Sequence, residues 1–313
     1  MEYIYNLMKK RILITGGSGF IGKHLTQLLI NKGYLVSILS RNKKENTNEI
    51  SYYQWDVEKG IIEEQAVLEA DSIINLAGEN IAEKRWTPER KQAIVQSRVG
   101  AIELIYSILQ KHNKKIDSFV SASGIGIYGV RHSNRIFTED SSLANDFLGE
   151  TCQKWESAVD LISNLKIRTV KVRTGLVIGP NDGFLKKLIP IFRLKLGTPI
   201  GSGEQFMSWI HIHDLCEIYI AGIENKEMSG AYNAAIRDGT TNYIFSKKLA
   251  KVYGYNMWLP NVPGFIMRML MGEMADLVLT GQRVSSEKIE KTGFVFKFTR
   301  LGYALRDCLN KQN

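Results

Sequence analysis

The sequence predicts an α/β protein: a doubly wound parallel sheet followed by a smaller α+β lobe. Three observations carry that expectation. Apolar runs at Arg11–Thr15, Tyr34–Leu39, Ser72–Leu76, Ser118–Ser121 and Arg168–Val172 alternate with helical patterns at Ile21–Asn31, Pro88–His112 and Asn145–Ser163. That is the order a parallel sheet covered by helices on both faces requires. A glycine-rich turn joins the first run directly to the first helix. After Gly175 the elements shorten and turns and aromatic pieces such as Phe206-Met207-Ser208-Trp209 multiply. The expected division is a core over residues 9–175 and a lobe over 176–313, with the chain interleaving between them. The lobe sits on the carboxyl edge of the sheet, where open α/β sheets bind their ligands.

The first element, Arg11-Ile12-Leu13-Ile14-Thr15, runs into Gly16-Gly17-Ser18-Gly19-Phe20-Ile21-Gly22 and then the amphipathic Lys23–Asn31. Gly16, Gly19 and Gly22 allow a tight turn, a bare backbone where a pyrophosphate approaches the helix N-terminus, and close packing of helix on strand. Phe20 and Ile21 belong to the same helix start. The expected ligand is a dinucleotide.

The second strand predicts which dinucleotide. An NAD site needs an acid about 20 residues beyond the turn. The chain reads Ser40-Arg41-Asn42-Lys43-Lys44 there, with no acid before Glu45. Ser40 and Arg41 suit a 2′-phosphate, Lys43 and Lys44 add positive potential, and Asp56 after the next strand faces the adenine side or caps a turn. NADP is expected over NAD.

Composition narrows the classes further. With 44% hydrophobic and 23% charged residues and only 6 prolines in 313 positions, the chain is globular rather than disordered. No apolar run approaches the ~18–20 residues of a membrane span. The first eight residues lack a secretory signal pattern, and Met8, before Lys9-Lys10-Arg11, is an alternative start. Cys152, Cys216 and Cys308 form no CxxC and suit a reducing compartment, so the expected location is the cytoplasm. The formal charge of +9 is dispersed without a nucleic-acid signature, so neither nucleic acid nor membrane is an expected partner.

Other segments agree, in order, with one superfamily. Asn75-Leu76-Ala77-Gly78 ends a strand, Ser121-Ala122-Ser123-Gly124-Ile125-Gly126-Ile127-Tyr128-Gly129 is a serine-rich strand end leading to Tyr-Gly, Arg173 precedes Gly179-Pro180, and Trp209-Ile210-His211-Ile212-His213-Asp214 enters a later helix. This series resembles the extended short-chain dehydrogenase/reductase superfamily with its Rossmann-like core. Gly78-Glu79-Asn80-Ile81 with Arg85-Trp86 and Ser97-Arg98, Pro199–Gly203, and the block Val262–Phe265, Gly272–Asp276 and Gly281–Val284 narrow the likeness. Together they resemble the atypical "epimerase family" short-chain proteins, over about Lys9 to Leu309, with a small C-terminal domain at about 258–310. The resemblance implies cofactor contacts at Gly16, Gly19, Phe20, Ile21, Gly22, Ser40, Arg41, Asp56, Leu76, Ala77, Gly78 and Arg98.

The catalytic pattern departs from the superfamily. Its Tyr-x-x-x-Lys pair, in which the lysine lowers the tyrosine pKa, should lie on the Asn145–Ser163 helix. Aligning Glu156 with the acid that follows the motif puts Leu148 and Cys152 in those places. Tyr5…Lys9 and Tyr243…Lys247 match by chance. Ser123 and Tyr128 remain as the catalytic candidates.

His211-x-His213 on a strand would put two rings on one face, but a third ligand at metal spacing is missing; Asp214 reads as a helix cap and no metal is expected. The stretch Phe265–Met274 reads as core or as the surface of a homodimer. The leading function is an NADP-dependent epimerase- or reductase-like enzyme acting on a small polar, sugar-like molecule. The alternative is a non-catalytic NADP-binding sensor or scaffold.

Overall fold

The structure is a computed structural model that describes residues 9–42, 44–129, 132–180 and 183–310. Tyr5, Met8 and Lys43 lie outside the described residues. The chain opens with β1 (Arg11–Thr15), α1 (Phe20–Asn31), β2 (Leu35–Ser40), β3 (Ile50–Asp56), a short β4 (Ile61–Ile62), α2 (Gln65–Leu68) and β5 (Ser72–Asn75). α3 (Pro88–Lys111), β6 (Ser118–Gly124), a 3₁₀ turn at Ile125–Tyr128, β7 (His132–Phe137), α4 (Phe147–Asn164) and β8 (Thr169–Thr174) follow. β9 (Leu176–Ile178), α5 (Gly183–Arg193), β10 (Trp209–His211), α6 (Ile212–Glu224), β11 (Gly230–Ala234) and α7 (Asn242–Val252) come next. α8 (Gly264–Met271), α9 (Asp276–Leu279), β12 (Gly281–Val284), α10 (Glu287–Glu290) and α11 (Leu301–Asn310) complete the chain.

The main sheet has eight strands in the order β11-β8-β6-β5-β1-β2-β3-β4. All neighbours are parallel except β4, which turns back on β3. The unbroken apolar runs follow from burial on both faces. Alternation sends Ile12 and Ile14 of β1 to one face with Leu25, Leu29, Ile218 and Leu305, and Leu13 to the other with Ile105, Trp155 and Val159. Ridges of α1, α6 and α11 thus cover one face, and α3 and α4 the other.

α6 and β11 come from the second half of the chain; α6 packs on a face of the main sheet, and β11 pairs with β8 from Gly230↔Val170 to Ala234↔Thr174. Gly222 lets α6 lie close on the sheet; a Cβ there would sit 3.1 Å from Val120 Cγ1, a tight contact. Two small parallel pairs build the lobe, β9 with β10 and β7 with β12. The second ties the C-terminal segment to the stretch between β6 and α4. At its start a Cβ on Gly281 would meet the Phe206 carbonyl oxygen at 1.8 Å, so the chain can cross there only as glycine.

The His211–Asp214 segment also differs from its sequence reading. The helix begins at Ile212, and its cap is His211, whose Nδ1 accepts from the His213 backbone N–H at 3.2 Å. Asp214 lies in the first turn, and its carboxylate instead accepts the backbone N–H groups of Lys297 and Phe298 at 3.0 and 2.9 Å. His211 stacks on Phe298 with ring centroids 3.8 Å apart and approaches Asp307 to 3.3 Å. The motif fastens the C-terminal strap to α6. Among the described residues no group of three metal-ligating side chains is present.

Candidate dinucleotide site

The glycine turn is shaped by contacts that only glycine allows. Gly16 has φ of 69°, in the left-handed region, and a Cβ there would sit 2.8 Å from the Leu76 carbonyl oxygen. A Cβ on Gly22 would meet the Gly16 oxygen at 2.3 Å, so α1 is pressed onto the turn. Gly19 differs: its Cβ would meet only the Gly16 oxygen, at 3.3 Å, and otherwise opens into space. It is the N-cap of α1 and supplies no side-chain cap. The first-turn N–H groups of Phe20, Ile21 and Gly22 therefore face an open cradle at the positive end of a helix, the environment a pyrophosphate needs. The residues fit the group on that observation.

The turn after β5 closes one side of the cradle. Thr15 Oγ1 accepts the N–H groups of Leu76 and Ala77, each at 3.1 Å, and donates to Asn75 Oδ1 at 2.7 Å. Asn75 Nδ2 reaches Ser121 Oγ at 3.1 Å. Register explains the row, since Thr15 pairs with Asn75 and Asn75 with Ser121. Phe20 turns its ring the other way, toward Gly179 and Gly183, so only its backbone faces the cradle. Ile21 packs against the core.

At the far end, Ser40 is the last residue of β2 rather than the first after it, and is 9% exposed. Arg41 follows it, exposed, close enough for its charge to act on Glu79. The Glu79 carboxyl is held below its usual range mainly by Arg90, whose Nη1 lies 2.6 Å away. Asp56 ends β3 and caps its own turn, accepting the Lys59 backbone N–H at 3.1 Å and pairing with the Lys59 ammonium. Gly78 lies against Arg98, whose guanidinium carbon would be 3.0 Å from a Cβ at that position.

The two catalytic candidates meet in one buried polar network. Ser123 Oγ donates to Glu156 Oε1 at 2.7 Å, and Glu156 holds Arg173 through Nε and Nη2 at 2.8 and 2.9 Å. Arg173 Nη1 donates to the Tyr128 hydroxyl at 2.9 Å, which donates in turn to Asn233 Oδ1 at 2.7 Å. Asn233 and Glu139 extend the network, Asn233 Nδ2 reaching the Ser285 carbonyl and Glu139 Oε1 accepting the Asn233 N–H. Burial pushes the Tyr128 phenol upward, although Arg173 and Asn233 pull it back, so it is protonated at neutral pH. Sequence reasoning missed Glu139 and Asn233. No local signal marks them: Ser123, Arg173 and Asn233 each stand one residue before the end of their strands, and only strand pairing puts them in one row.

Leu148 and Cys152 of α4 both lie against glycines at the end of β6 and in the turn that follows it. A Cβ on Gly126 would be 3.3 Å from Leu148 Cβ, and one on Gly124 3.6 Å from Cys152 Sγ. Burial pushes the Cys152 thiol up to about 12, so it is neutral. Tyr243 and Lys247 are on the outer face of α7, Tyr243 exposed with the ammonium 5.7 Å from its ring centroid. Arg85 Nη2 donates to the carbonyls of Met269 and Leu270 at 2.8 and 2.7 Å, and Lys91 pairs with Glu273. These contacts hold α8 over the segment after β5; none of its residues is buried.

Known proteins resemble this chain along most of its length. The profile of the NAD dependent epimerase/dehydratase family matches residues 12–235, and that of a domain of unknown function, DUF1731, matches residues 262–308. Epimerase family protein YfhF of Bacillus subtilis is 38% identical over 300 residues, covering 95% of this chain and 97% of that protein. The chloroplastic SDR39U1 homolog of Arabidopsis thaliana is 32% identical over 94% of this chain and 85% of its own length. Among solved structures, human epimerase family protein SDR39U1 with NADPH has a TM-score of 0.86 at 32% identity, covering 96% of this chain and 99% of that one. UDP-glucuronic acid 4-epimerase from Bacillus cereus, in complex with UDP-glucuronic acid and NAD, shares the fold at a TM-score of 0.80 and 19% identity, covering 96% of this chain and 99% of that one.

Proposed function

We propose that this chain, which belongs to the NAD dependent epimerase/dehydratase family, binds NADP(H) and acts as an epimerase- or reductase-like enzyme on a small polar, sugar-like molecule. The observation that carries the reading is the open glycine cradle with Arg41, and no acid, at the end of β2. The N-terminal turn of α1 would hold the pyrophosphate, and Arg41 the 2′-phosphate. The NADPH-bound human relative supports that choice of cofactor. Bound, the dinucleotide supplies a hydride donor or acceptor. The chain's own part is to hold and orient that group. Ser123 and Tyr128 are the protein groups proposed to bear on the substrate oxygen. Their hydroxyls are held by Glu156 and Asn233, so substrate would have to compete for them.

A second reading, a non-catalytic NADP-binding sensor or scaffold, is favoured by Leu148 and Cys152 standing where a tyrosine and a lysine would work. One experiment separates the two. Deuterium-labelled NADPH is incubated with the protein and a panel of sugar nucleotides and small aldehydes, and label transfer is followed by mass spectrometry. Transfer above the protein-free rate supports the enzyme. NADPH binding without transfer to any of them supports the sensor.

A further inference from the structure

We propose that the groove between α7 and α11 is a binding site for a compact polyphosphate anion, built from residues that take no part in the dinucleotide cradle. The formal charge of +9 is dispersed along the sequence, yet the fold gathers four cations here. Two rows of side chains build the site. Lys248 and Lys251 stand three residues apart on α7; Arg300, just before α11, and Tyr303 and Arg306 on it repeat that spacing. Residues three apart share a helix face. The two helices pack together, so the rows meet across a groove of about 320 Å³. Gly302 keeps it open, since a Cβ there would meet nothing within 4 Å.

Nothing in the protein answers that charge. No acidic residue lines the groove. α7 carries no acid, and the one acid of α11, Asp307, is turned to His211. Among the described residues none of the four cationic side chains forms an ion pair or a hydrogen bond. Arg306 is held only by an aromatic ring, its guanidinium carbon 4.8 Å from the Tyr303 centroid, which orients the group without neutralising it. Lys248 is half-buried, so its repulsion with the others is screened less than on an open surface. A ligand with several negative charges in a small volume relieves that repulsion; a neutral sugar or a single carboxylate does not. Phosphate oxygens match the donors present. Guanidinium forks take them in pairs, the ammonium groups act as point charges, and the exposed Tyr303 hydroxyl can donate. The volume is at the small end for ligand pockets, which suits an oligophosphate or a phosphorylated headgroup.

The test is calorimetry on the full chain with tripolyphosphate as the probe. Because the dinucleotide cradle also attracts phosphates, the titration is run on Gly19→Val, whose cradle is filled, as well as on wild type. Both should bind saturably at the groove, more weakly as salt rises. Lys251→Gln combined with Arg306→Gln should weaken that binding about ten- to a hundredfold. If this variant folds poorly, Lys248→Gln with Arg300→Gln gives the same comparison. No saturable binding in Gly19→Val, or binding that the groove substitutions leave unchanged, overturns the proposal. Co-sedimentation with phosphatidylcholine vesicles, with and without a phosphoinositide, separates two sources of the phosphate. Vesicle binding that needs the phosphoinositide and that tripolyphosphate displaces assigns a headgroup; calorimetric binding without vesicle binding assigns a soluble anion. Both support the site. Retention on heparin with no saturable tripolyphosphate binding would show a diffuse basic surface and overturn it.

Discussion

Arg173 and Glu156 form a two-pronged ion pair inside the protein, with Nε 2.8 Å from Oε1 and Nη2 2.9 Å from Oε2. Their side chains are 6% and 9% exposed, so water screens the pair little. Glu156 therefore does two jobs: it neutralises Arg173 and it fixes the Ser123 hydroxyl.

Removing one partner should be worse than removing both. Glu156→Leu or Arg173→Met alone leaves a buried charge without its partner, which costs about 3–5 kcal/mol. Glu156→Leu combined with Arg173→Met removes both charges and should destabilise by less than the sum of the singles. Urea unfolding of the four proteins in a double-mutant cycle measures the difference. Additive losses would show that the pair is not coupled.

The glycine turn predicts two different failures. Gly22→Ala places a Cβ 2.3 Å from the Gly16 oxygen, so the helix must move off the strand and the melting temperature should fall by several degrees. Gly19→Val has room within its own chain and should stay folded. Its side chain occupies the cradle, so dinucleotide binding by calorimetry should be lost while melting is nearly unchanged. Wild-type affinity in folded Gly19→Val would move the pyrophosphate elsewhere.

These features differ in how legible they were. The sheet could be read because strands buried on both faces leave unbroken apolar runs, and the cradle because glycine spacing is a local signal. What escaped was long-range. β11 closes the main sheet from residue 230 onward, and its Gly-Ala-Tyr-Asn-Ala carries too weak a pattern to be assigned to the core. The cap at His211 was hidden because Asp214 is the better capping residue by type; its carboxylate was already committed to Lys297 and Phe298, more than eighty residues away. Ser123 and Tyr128 were found singly, whereas the pair that joins them depends on strand register, which the sequence does not print.

Alkaline pH should loosen the fold through its buried thiols. Burial raises Cys152 to about 12 and raises Cys216 as well, against roughly 8.5 in an unfolded chain. A raised folded pKa means the native state keeps protons that the unfolded state releases. The stabilisation is complete below the unfolded value and is lost as pH rises toward the folded one, at up to about 1.4 kcal/mol per pH unit for each thiol. Cys152→Ala should show a shallower loss of stability between pH 9 and 11 than wild type in urea titrations. An identical slope would mean that the thiol is not held protonated.

Arg41 should set the choice between NADP and NAD. It stands exposed at the end of β2 with Ser40 buried beneath it. A planar guanidinium matches two oxygens of a 2′-phosphate, and a charge-assisted contact is worth about 1.5–3 kcal/mol. Glu79 lies close enough to feel the Arg41 charge, yet Arg90 holds its carboxylate directly at 2.6 Å. Arg41 is thus not neutralised by a close partner of its own and can turn to the ligand. Arg41→Ala should lose about ten- to a hundredfold in NADPH affinity with NADH affinity unchanged. Arg41→Glu should lose more, because a carboxylate repels the phosphate. Salt discriminates further: at 0.5 M the wild-type preference should shrink, since an exposed contact is screened within a few ångströms. Equal affinity of wild type for NADPH and NADH, or equal losses on both in Arg41→Ala, would remove Arg41 from the site and return the choice of cofactor to the rest of the cradle.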